Sequence, residues 1–288
     1  YRIVRKEQLA PELMLFEVEA PLAARSAQAG QFIMLRIDEF GERIPLTIAD
    51  FDREKGTLTL IVQVIGKSTR LMGQLQAGDC LLDLVGPLGQ PSHIKKYGRV
   101  VMIGGGVGVA PIHPIARALK QAGNEVISIL GARSRELLIM EEAMQKASTE
   151  VIVTTDDGSY GRKGFVTQVL QDLIDTRMPI DLVVAIGPMV MMEAVSKVTR
   201  EPGIATVVSL NPIMVDGTGM CGACRVQVGP DTKFACVDGP EFDGHLVDWD
   251  LAKRRSRMFA AEEKRALAEP DSQRKGGGCG CSCHQQNN

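Results

Sequence analysis

The chain has 288 residues, 44% of them hydrophobic, with 33 Lys and Arg against 35 Asp and Glu. That length favours two domains with room for a small third module, and the hydrophobic content is ample for buried cores. A formal net charge of −2 gives no electrostatic case for nucleic acid or an anionic membrane, so neither is expected as a partner.

Residues 1–97 alternate on a short period. IVRKEQLAPELMLFEVEA, FIMLRI, GTLTLIVQVIG and DCLLDLVGPLG read as strands, interrupted only by a short turn at STRLMGQL. This predicts a small antiparallel β-barrel. From 98 to 210 strands and helices take turns. RVVMIGG, EVISILGA, EVIVTTDDG, DLVVAIGP and ATVVSL are expected strands. IHPIARALKQAG, ELLIMEEAMQKA, GFVTQVLQDLID and MVMMEAVSKVTR are expected helices. Such regular alternation predicts an α/β doubly wound parallel sheet. Residues 211–250 form a small cysteine-bearing module. Residues 251–288 begin with LAKRRSRMFAAEEKRALAEP, a charged docking helix, and end in DSQRKGGGCGCSCHQQNN, a low-complexity tail expected to be disordered. The opening YRIVRKEQ leads into no apolar signal-peptide core. The most continuous apolar stretch, VVMIGGGVGVAPI, is too short and glycine-rich to span a bilayer.

The seven cysteines lie in three places: Cys80, a group at Cys221, Cys224 and Cys236, and Cys279, Cys281 and Cys283 in the tail. Local clusters of this kind point to metal chemistry and a reducing cytoplasm. With Asp216 the middle group reads D-x4-C-x2-C-x11-C, which is the plant-type [2Fe–2S] arrangement with aspartate in the first place. Thiolates are soft anionic ligands matched to iron and sulfide. Glycines 217, 219 and 222 let a tight loop wrap a cluster. The competing reading is a zinc knuckle, which needs a fourth Cys or His, and His245 is the only nearby histidine. Cys80 is the alternative fourth thiol, though it reads better as a small buried residue.

Gly104-Gly105-Gly106-Val107-Gly108 follows the first strand of the parallel sheet and opens its first helix. N–H groups at such a junction point outward at the positive end of the helix dipole, and glycine lets a pyrophosphate approach. The run is not G-x-G-x-x-G, because position 109 is Val. DDGS at Asp156 and Asp157 is ordinarily a self-capping turn, and His113 reads as packing. No Ser-His-Asp set, H-E-x-x-H or paired-carboxylate pattern supports a hydrolase.

GGGVGVAP, TDDGSYGRKGFVT and IGPMVMM behind a barrel resemble the ferredoxin–NADP reductase superfamily. The cysteine module narrows the likeness to the electron-transfer subunit of dihydroorotate dehydrogenase. ACVDGPEFDGHLVDW narrows it further, to the small subunit of NADH-dependent reduced ferredoxin:NADP oxidoreductase, or sulfide dehydrogenase. The resemblance covers residues 1 to about 265. It implies that the barrel holds FAD. The stretch matching the superfamily's flavin motif is Arg43-Ile44-Pro45-Leu46-Thr47, with Leu46 where an aromatic often stacks and Ile44 in the usual arginine place. Ile61-Val62-Gln63 and Gly66-Lys67-Ser68-Thr69 match the segments holding the ribityl chain and pyrophosphate. The glycine run would cradle the nicotinamide dinucleotide, Arg133 and Ser134 would lie at its adenosine ribose, and Asp157 near the pocket. Gly187-Pro188-Met189 and Met192 match a C-G-P-x-x-M motif, with Ile186 in place of its cysteine. Arg133 and Arg135 allow NADP(H) and Glu136 opposes it; the balance leans to NAD(H).

The resemblance implies an electron-transfer subunit passing electrons between NAD(P)H, FAD and a [2Fe–2S] cluster. The expected partner is a larger flavoprotein subunit with [4Fe–4S] clusters, with ferredoxin as a further partner. Asp216 separates this reading from the dihydroorotate dehydrogenase subunit, which carries cysteine there. A redox sensor without turnover is the reading from another class, and intact motifs for both FAD and nicotinamide argue against it. The tail's C-x-C-x-C-H spacing, ending at His284, gives no preorganised metal site. Deleting residues 272–288 should leave flavin, cluster iron and NADH-driven dye reduction unchanged; iron lost on truncation would reverse that expectation.

Overall fold

The structure is a computed structural model and describes residues 1–176 and 178–268. The cysteines and His284 of the tail lie outside the described residues. No helix among the described residues is long and apolar enough to cross a membrane.

The first part is a six-stranded antiparallel sheet: β1 (Ile3–Ala10), β2 (Leu13–Glu19), β3 (Phe32–Arg36), β4 (Ile44–Asp52), β5 (Thr57–Gln63) and β6 (Asp83–Leu88), in the order β1-β2-β5-β4-β3-β6. Two short helices, α1 (Pro21–Ser26) and α2 (Lys67–Gln74), attend it. Alternation sends Phe16, Ile33, Leu35, Ile48, Leu58 and Leu60 to one shared apolar core. The two outer strands approach one another: Arg2 bridges Cys80, and the Leu81 N–H donates to the Tyr1 carbonyl at 2.8 Å.

The second part is built on a parallel sheet. Its elements are β7 (Arg99–Gly105), α3 (Val109–Gln121), β8 (Glu125–Ala132), α4 (Glu141–Ala147), β9 (Glu150–Thr155), β10 (Arg162–Lys163), α5 (Val166–Asp175), β11 (Leu182–Ile186), α6 (Met189–Arg200) and β12 (Thr206–Ser209). A hairpin, β13 (Arg225–Val228) and β14 (Asp231–Phe234), follows, then β15 (Glu241–Asp243), α7 (Trp249–Ser256) and α8 (Ala260–Ala268). The sheet order is β10-β9-β8-β7-β11-β12-β15, with β15 antiparallel at the edge. The cysteine-bearing segment therefore contributes a strand to the nucleotide-type sheet.

Two expected helices are shorter than the sequence suggests. ELLIMEEAMQKA forms a 3-10 turn at Arg135–Leu137, and α4 starts only after Met140, which is left-handed at φ 57°. Leu138, Ile139 and Met140 all pack into the core beside α3, and three consecutive residues of a helix cannot share one face. The charged C-terminal helix is likewise two, α7 and α8. Between them the N–H groups of Arg257 and Met258 turn back to carbonyls three residues earlier, at 3.3 and 3.2 Å.

The two parts are joined where α3 lies against β4. Arg117 grips Asp50 with both terminal nitrogens, at 3.0 and 2.6 Å. His113 Nδ1 stands 3.5 Å from the Ala49 carbonyl and 3.9 Å from Asp50 Oδ2. Burial holds the His113 pKa below its ordinary 6.5, against the weaker upward pull of Asp50. Below that value the unfolded chain binds the extra proton more readily than the fold does. The stability is therefore fully present above about pH 6.5 and is lost as pH falls. The unfolding midpoint should fall as pH is lowered through about 6.5, and His113→Gln should flatten that part of the profile.

Candidate functional site

The glycine run sits at the C-terminal edge of the parallel sheet. Gly104 and Gly105 end β7, Gly106–Gly108 make a 3-10 turn, and α3 follows directly. β7 has β8 on one side and β11 on the other, so the turns after β7 and β11 flank the point where the winding reverses. The two turns touch. A side chain at Gly108 would collide with the Ile186 carbonyl oxygen, and one at Gly187 would lie 3.0 Å from the Gly105 carbonyl. Gly106 is different: its φ is +56°, and a Cβ there would meet nothing within 4 Å. The open approach for a phosphate is thus over Gly106 and the half-buried Val107.

Met191 is the methionine on this turn, against both Gly105 and Gly187. Met192, expected from the sequence, is fully buried in the core behind the sheet. One residue rotates a helix position by about 100°, which separates the two. Met189 is the first residue of α6, and Pro188 is its N-cap.

Arg133 and Ser134 follow β8 on the same edge, and Arg133 is exposed. Arg135 has its N–H on Ser159 Oγ at 2.8 Å and its guanidinium 5.3 Å from the Tyr160 ring centre. Asp157 closes its own turn by accepting the Ser159 N–H at 2.9 Å, and Ser159, through its side chain first and then this N–H, holds the carboxyl below the usual range. Its carboxylate is a turn cap, as a DDGS run ordinarily implies.

In the first sheet, β3 and β4 pair Ile33 with Leu46, Met34 with Pro45 and Phe32 with Thr47. Ile44 and Leu46 pack toward the sheet's own core. Paired residues share a face, so Pro45 and Thr47 lie on the face of Phe32 and Met34. Arg43 is exposed just ahead of β4. Ile61 joins the core containing Val109 and Ala110, which sets β5 beside the glycine turn; Gln63 is exposed. Val62 is buried in the first sheet's own core, so within this segment its backbone, rather than its side chain, is what lies beside Ile61 and Gln63. Gly66 is the N-cap of α2, with Lys67 and Ser68 next. Ser68 Oγ donates to Glu42 at 3.4 Å. Thr69 Oγ1 accepts the Gly66 N–H at 3.0 Å, so that hydroxyl caps its own helix.

The cysteine loop is fastened to this face. Gly217, at φ +77°, lies on β3 and β6: a Cβ there would come 2.6 Å from Met34 and 3.0 Å from Leu88. Gly219 and Gly222 are also left-handed, at 87° and 64°. Cys224 and Cys236 are buried in one core with Phe32 and Met34, and Cys221 is exposed. The segment after β6 pins the other side. Gln90 N–H donates to the Gly239 carbonyl at 2.7 Å, and Ser92 Oγ to Glu241 Oε1 at 2.5 Å. Burial holds the Glu241 carboxyl above its usual range.

The donors fall into two pairs. Cys224 and Cys236 have sulfurs 3.2 Å apart, and Cys221 Sγ lies 3.5 Å from Asp216 Oδ1. Among the described residues no three His, Cys, Asp or Glu converge on one ion position. A binuclear cluster takes its protein ligands two per iron, an arrangement that two pairs of donors fit. Asp216 accepts N–H groups from Thr218 and Cys221, each at 3.0 Å, and these hold its carboxyl below the usual range. Burial, and then the contact with Cys224, push the Cys236 thiol up to about 12. Cys80 lies beyond the far end of β6, which spans about 17 Å from Asp83 to the Leu88 that Gly217 touches. It belongs to the first sheet rather than to the donor set.

The model for the iron–sulfur cluster binding domain of dihydroorotate dehydrogenase B matches residues 211–248, and that for the oxidoreductase NAD-binding domain matches 102–197. The dihydroorotate dehydrogenase B (NAD(+)) electron transfer subunit homolog of Thermotoga maritima is 48% identical over 262 residues, 91% of this chain and 92% of that protein. The electron transfer subunit of Streptococcus mutans is 35% identical, over 85% of this chain and 96% of its own. This chain belongs to the dihydroorotate dehydrogenase B electron transfer subunit family. It also superposes on a chain of the solved NADH-dependent reduced ferredoxin-NADP oxidoreductase with TM-score 0.88 and 46% identity, covering 93% of this chain and 96% of that one. For a subunit of this family the open space at Gly106 is testable. Gly106→Asn tolerates a left-handed backbone and should raise KM for NADH about tenfold or more. An unchanged KM would remove the turn from the nicotinamide site.

Proposed function

We propose that this chain is the NADH-reactive electron-transfer subunit of a ferredoxin:NADP oxidoreductase-type complex, holding FAD, NAD(H) and a [2Fe–2S] cluster. The partner is a larger flavoprotein subunit with [4Fe–4S] clusters, and the setting is the cytoplasm. Residues 1–97 close into the barrel that holds FAD, residues 98–210 take the nicotinamide, and residues 211–250 take the cluster. One observation carries the reading. The cysteine loop packs on Met34, whose cross-strand partner is Pro45 of the flavin-type strand, while the glycine turn packs beside β5 of the same sheet. All three sites thus meet on one sheet whose neighbouring strands are about 4.8 Å apart.

A nicotinamide delivers electron pairs as hydride, a [2Fe–2S] centre accepts single electrons, and a flavin does both. The chain's residues supply position and shielding. Gly106 and the start of α3 present N–H groups to a pyrophosphate. Gly108 and Gly187 let the two turns close on each other. Pro45 and Thr47 face the cysteine loop's side of the sheet. Phe32 and Met34 close the apolar floor under Cys224 and Cys236, so water is excluded from the inner pair. Asp216 keeps the anionic charge of a thiolate at the outer pair with a harder oxygen. An aspartate in the first ligand place, where the resemblance implies cysteine for the dihydroorotate dehydrogenase subunit, supports the ferredoxin:NADP type.

Asp216→Cys should keep about two irons per chain with an altered electron paramagnetic resonance spectrum, whereas Asp216→Ala should lose most of its iron. In both, NADH should still bleach the bound flavin. Full iron in Asp216→Ala together with loss in Cys80→Ser would transfer the ligand role to Cys80. A wild-type chain that binds no flavin, or whose flavin NADH does not bleach, would end the proposal.

A further inference from the structure

Gly222 and Ala223, the two residues between Cys221 and Cys224, have their carbonyls held by two guanidinium groups. Arg225 Nη1 donates to the Gly222 carbonyl at 3.2 Å, and Arg255 Nη2 to the Ala223 carbonyl at 2.9 Å. Arg225 is local. Arg255 arrives from the last turn of α7, and that helix is fixed so that it can. Asp248 Oδ1 caps it through the Leu251 N–H at 2.9 Å, and the buried Trp249 donates its indole N–H to the Gly244 carbonyl at 3.1 Å. Lys253 is tied to Glu193 of α6 at 3.0 Å.

The arrangement is unfavourable as it stands. Arg255 Nε is buried and has no hydrogen-bond partner among the described residues. Burial, and next the neighbouring charge of Arg225, lower the Arg255 pKa, while Cys224 acts in the opposite sense. Two like charges near one another, with the Nε–H of the half-buried Arg255 left unpaired, are unfavourable unless an anion lies close. Two ferric ions with two sulfides, three thiolates and a carboxylate make a dianion, and one added electron makes it a trianion. A fixed cation on the Ala223 carbonyl, one residue before Cys224, favours the more negative form, since charge near a cluster is one of the terms that set its potential.

We infer that Arg255 is a positioning residue of the cysteine loop that raises the reduction potential of the cluster it holds, by holding the Ala223 carbonyl and so fixing a permanent positive charge at the residue that precedes Cys224. This rests on the reading of the 211–250 segment as a [2Fe–2S] module.

The test compares full-length wild type, Arg255→Gln and Arg255→Lys by redox titration monitored by electron paramagnetic resonance. Gln keeps a donor for the Ala223 carbonyl and removes the charge; Lys keeps the charge. Arg255→Gln is expected to lower the potential by about 59 mV, a tenfold change in a one-electron equilibrium, and Arg255→Lys by less than half of that. Equal shifts in the two variants, or none in Arg255→Gln, would overturn the inference. If Arg255→Gln holds no cluster, iron retained by Arg255→Lys supports the role of charge, and iron lost from both overturns it. Thermal unfolding of the iron-free chains gives a second readout. Arg255→Gln should unfold at the wild-type temperature or above, because a like-charge pair is relieved; a drop would make Arg255 a structural strut and overturn the inference. A wild-type chain that yields no cluster signal would instead sink the reading of the loop on which the inference stands.

Discussion

The backbone contact between the turns after β7 and β11 is the constraint on which the rest of the molecule depends. Gly108 lies against the Ile186 carbonyl and Gly187 against that of Gly105, so neither position has room for a side chain. That approach is possible because β7 and β11 are adjacent and in register, Gly104 beside Ile186. It brings α3 close to the sheet, and α3 is the helix that meets β4 through Arg117 and Asp50. That ion pair is about a third exposed at each partner, so its net worth is at most about 1 kcal/mol. The apolar contacts of Ile61 with Val109 and Ala110 contribute more area and hold β5 next to the turn.

The cysteine segment is tied into both neighbours. β15 extends the parallel sheet beyond β12, the Gly239 carbonyl receives the Gln90 N–H, and Gly217 lies on Met34. Cys224 and Cys236 share a core with residues of the first sheet and of the parallel sheet. A one-electron carrier placed there is held by the packing of the whole molecule, which limits rearrangement between its oxidised and reduced states. Cys221 and Met220 remain exposed.

Much of this was legible in the sequence because the relevant chemistry is local. Strand–helix alternation needs only periodicity, and every strand expected from Arg99 to Leu210 is present. The glycine turn announces itself because a strand running into a helix through such a run has few other uses. The cysteine spacing is legible for the same reason, since Asp216, Cys221, Cys224 and Cys236 lie within about twenty residues and the structure brings them together as two pairs. The β4 strand was harder: Pro45 interrupts its pattern, and only the resemblance pointed to it. The C-G-P-x-x-M spacing counts to Met191, three residues after Pro188, so the expectation of Met192 is one residue out, and the helix phase shows it. Thr69 and Asp157 carry side chains suited to a ligand, yet each satisfies a backbone N–H nearby, a competition that sequence does not resolve.

The charged helix marks the limit most clearly. A run such as KRRSR reads as a solvated face, and nothing in its spacing singles out Arg255. Sequence by itself determined most of the element types, the glycine run at a strand–helix junction and the close spacing of Asp216 with three cysteines, because each depends on residues close together along the chain. Tertiary structure alone decided that β15 joins the parallel sheet, that Met34 lies under the cysteine loop, and that an arginine thirty-two residues from Ala223 bonds its carbonyl. Those contacts depend on how separate elements pack, and packing is set by the shapes of surfaces that no local pattern of residues encodes.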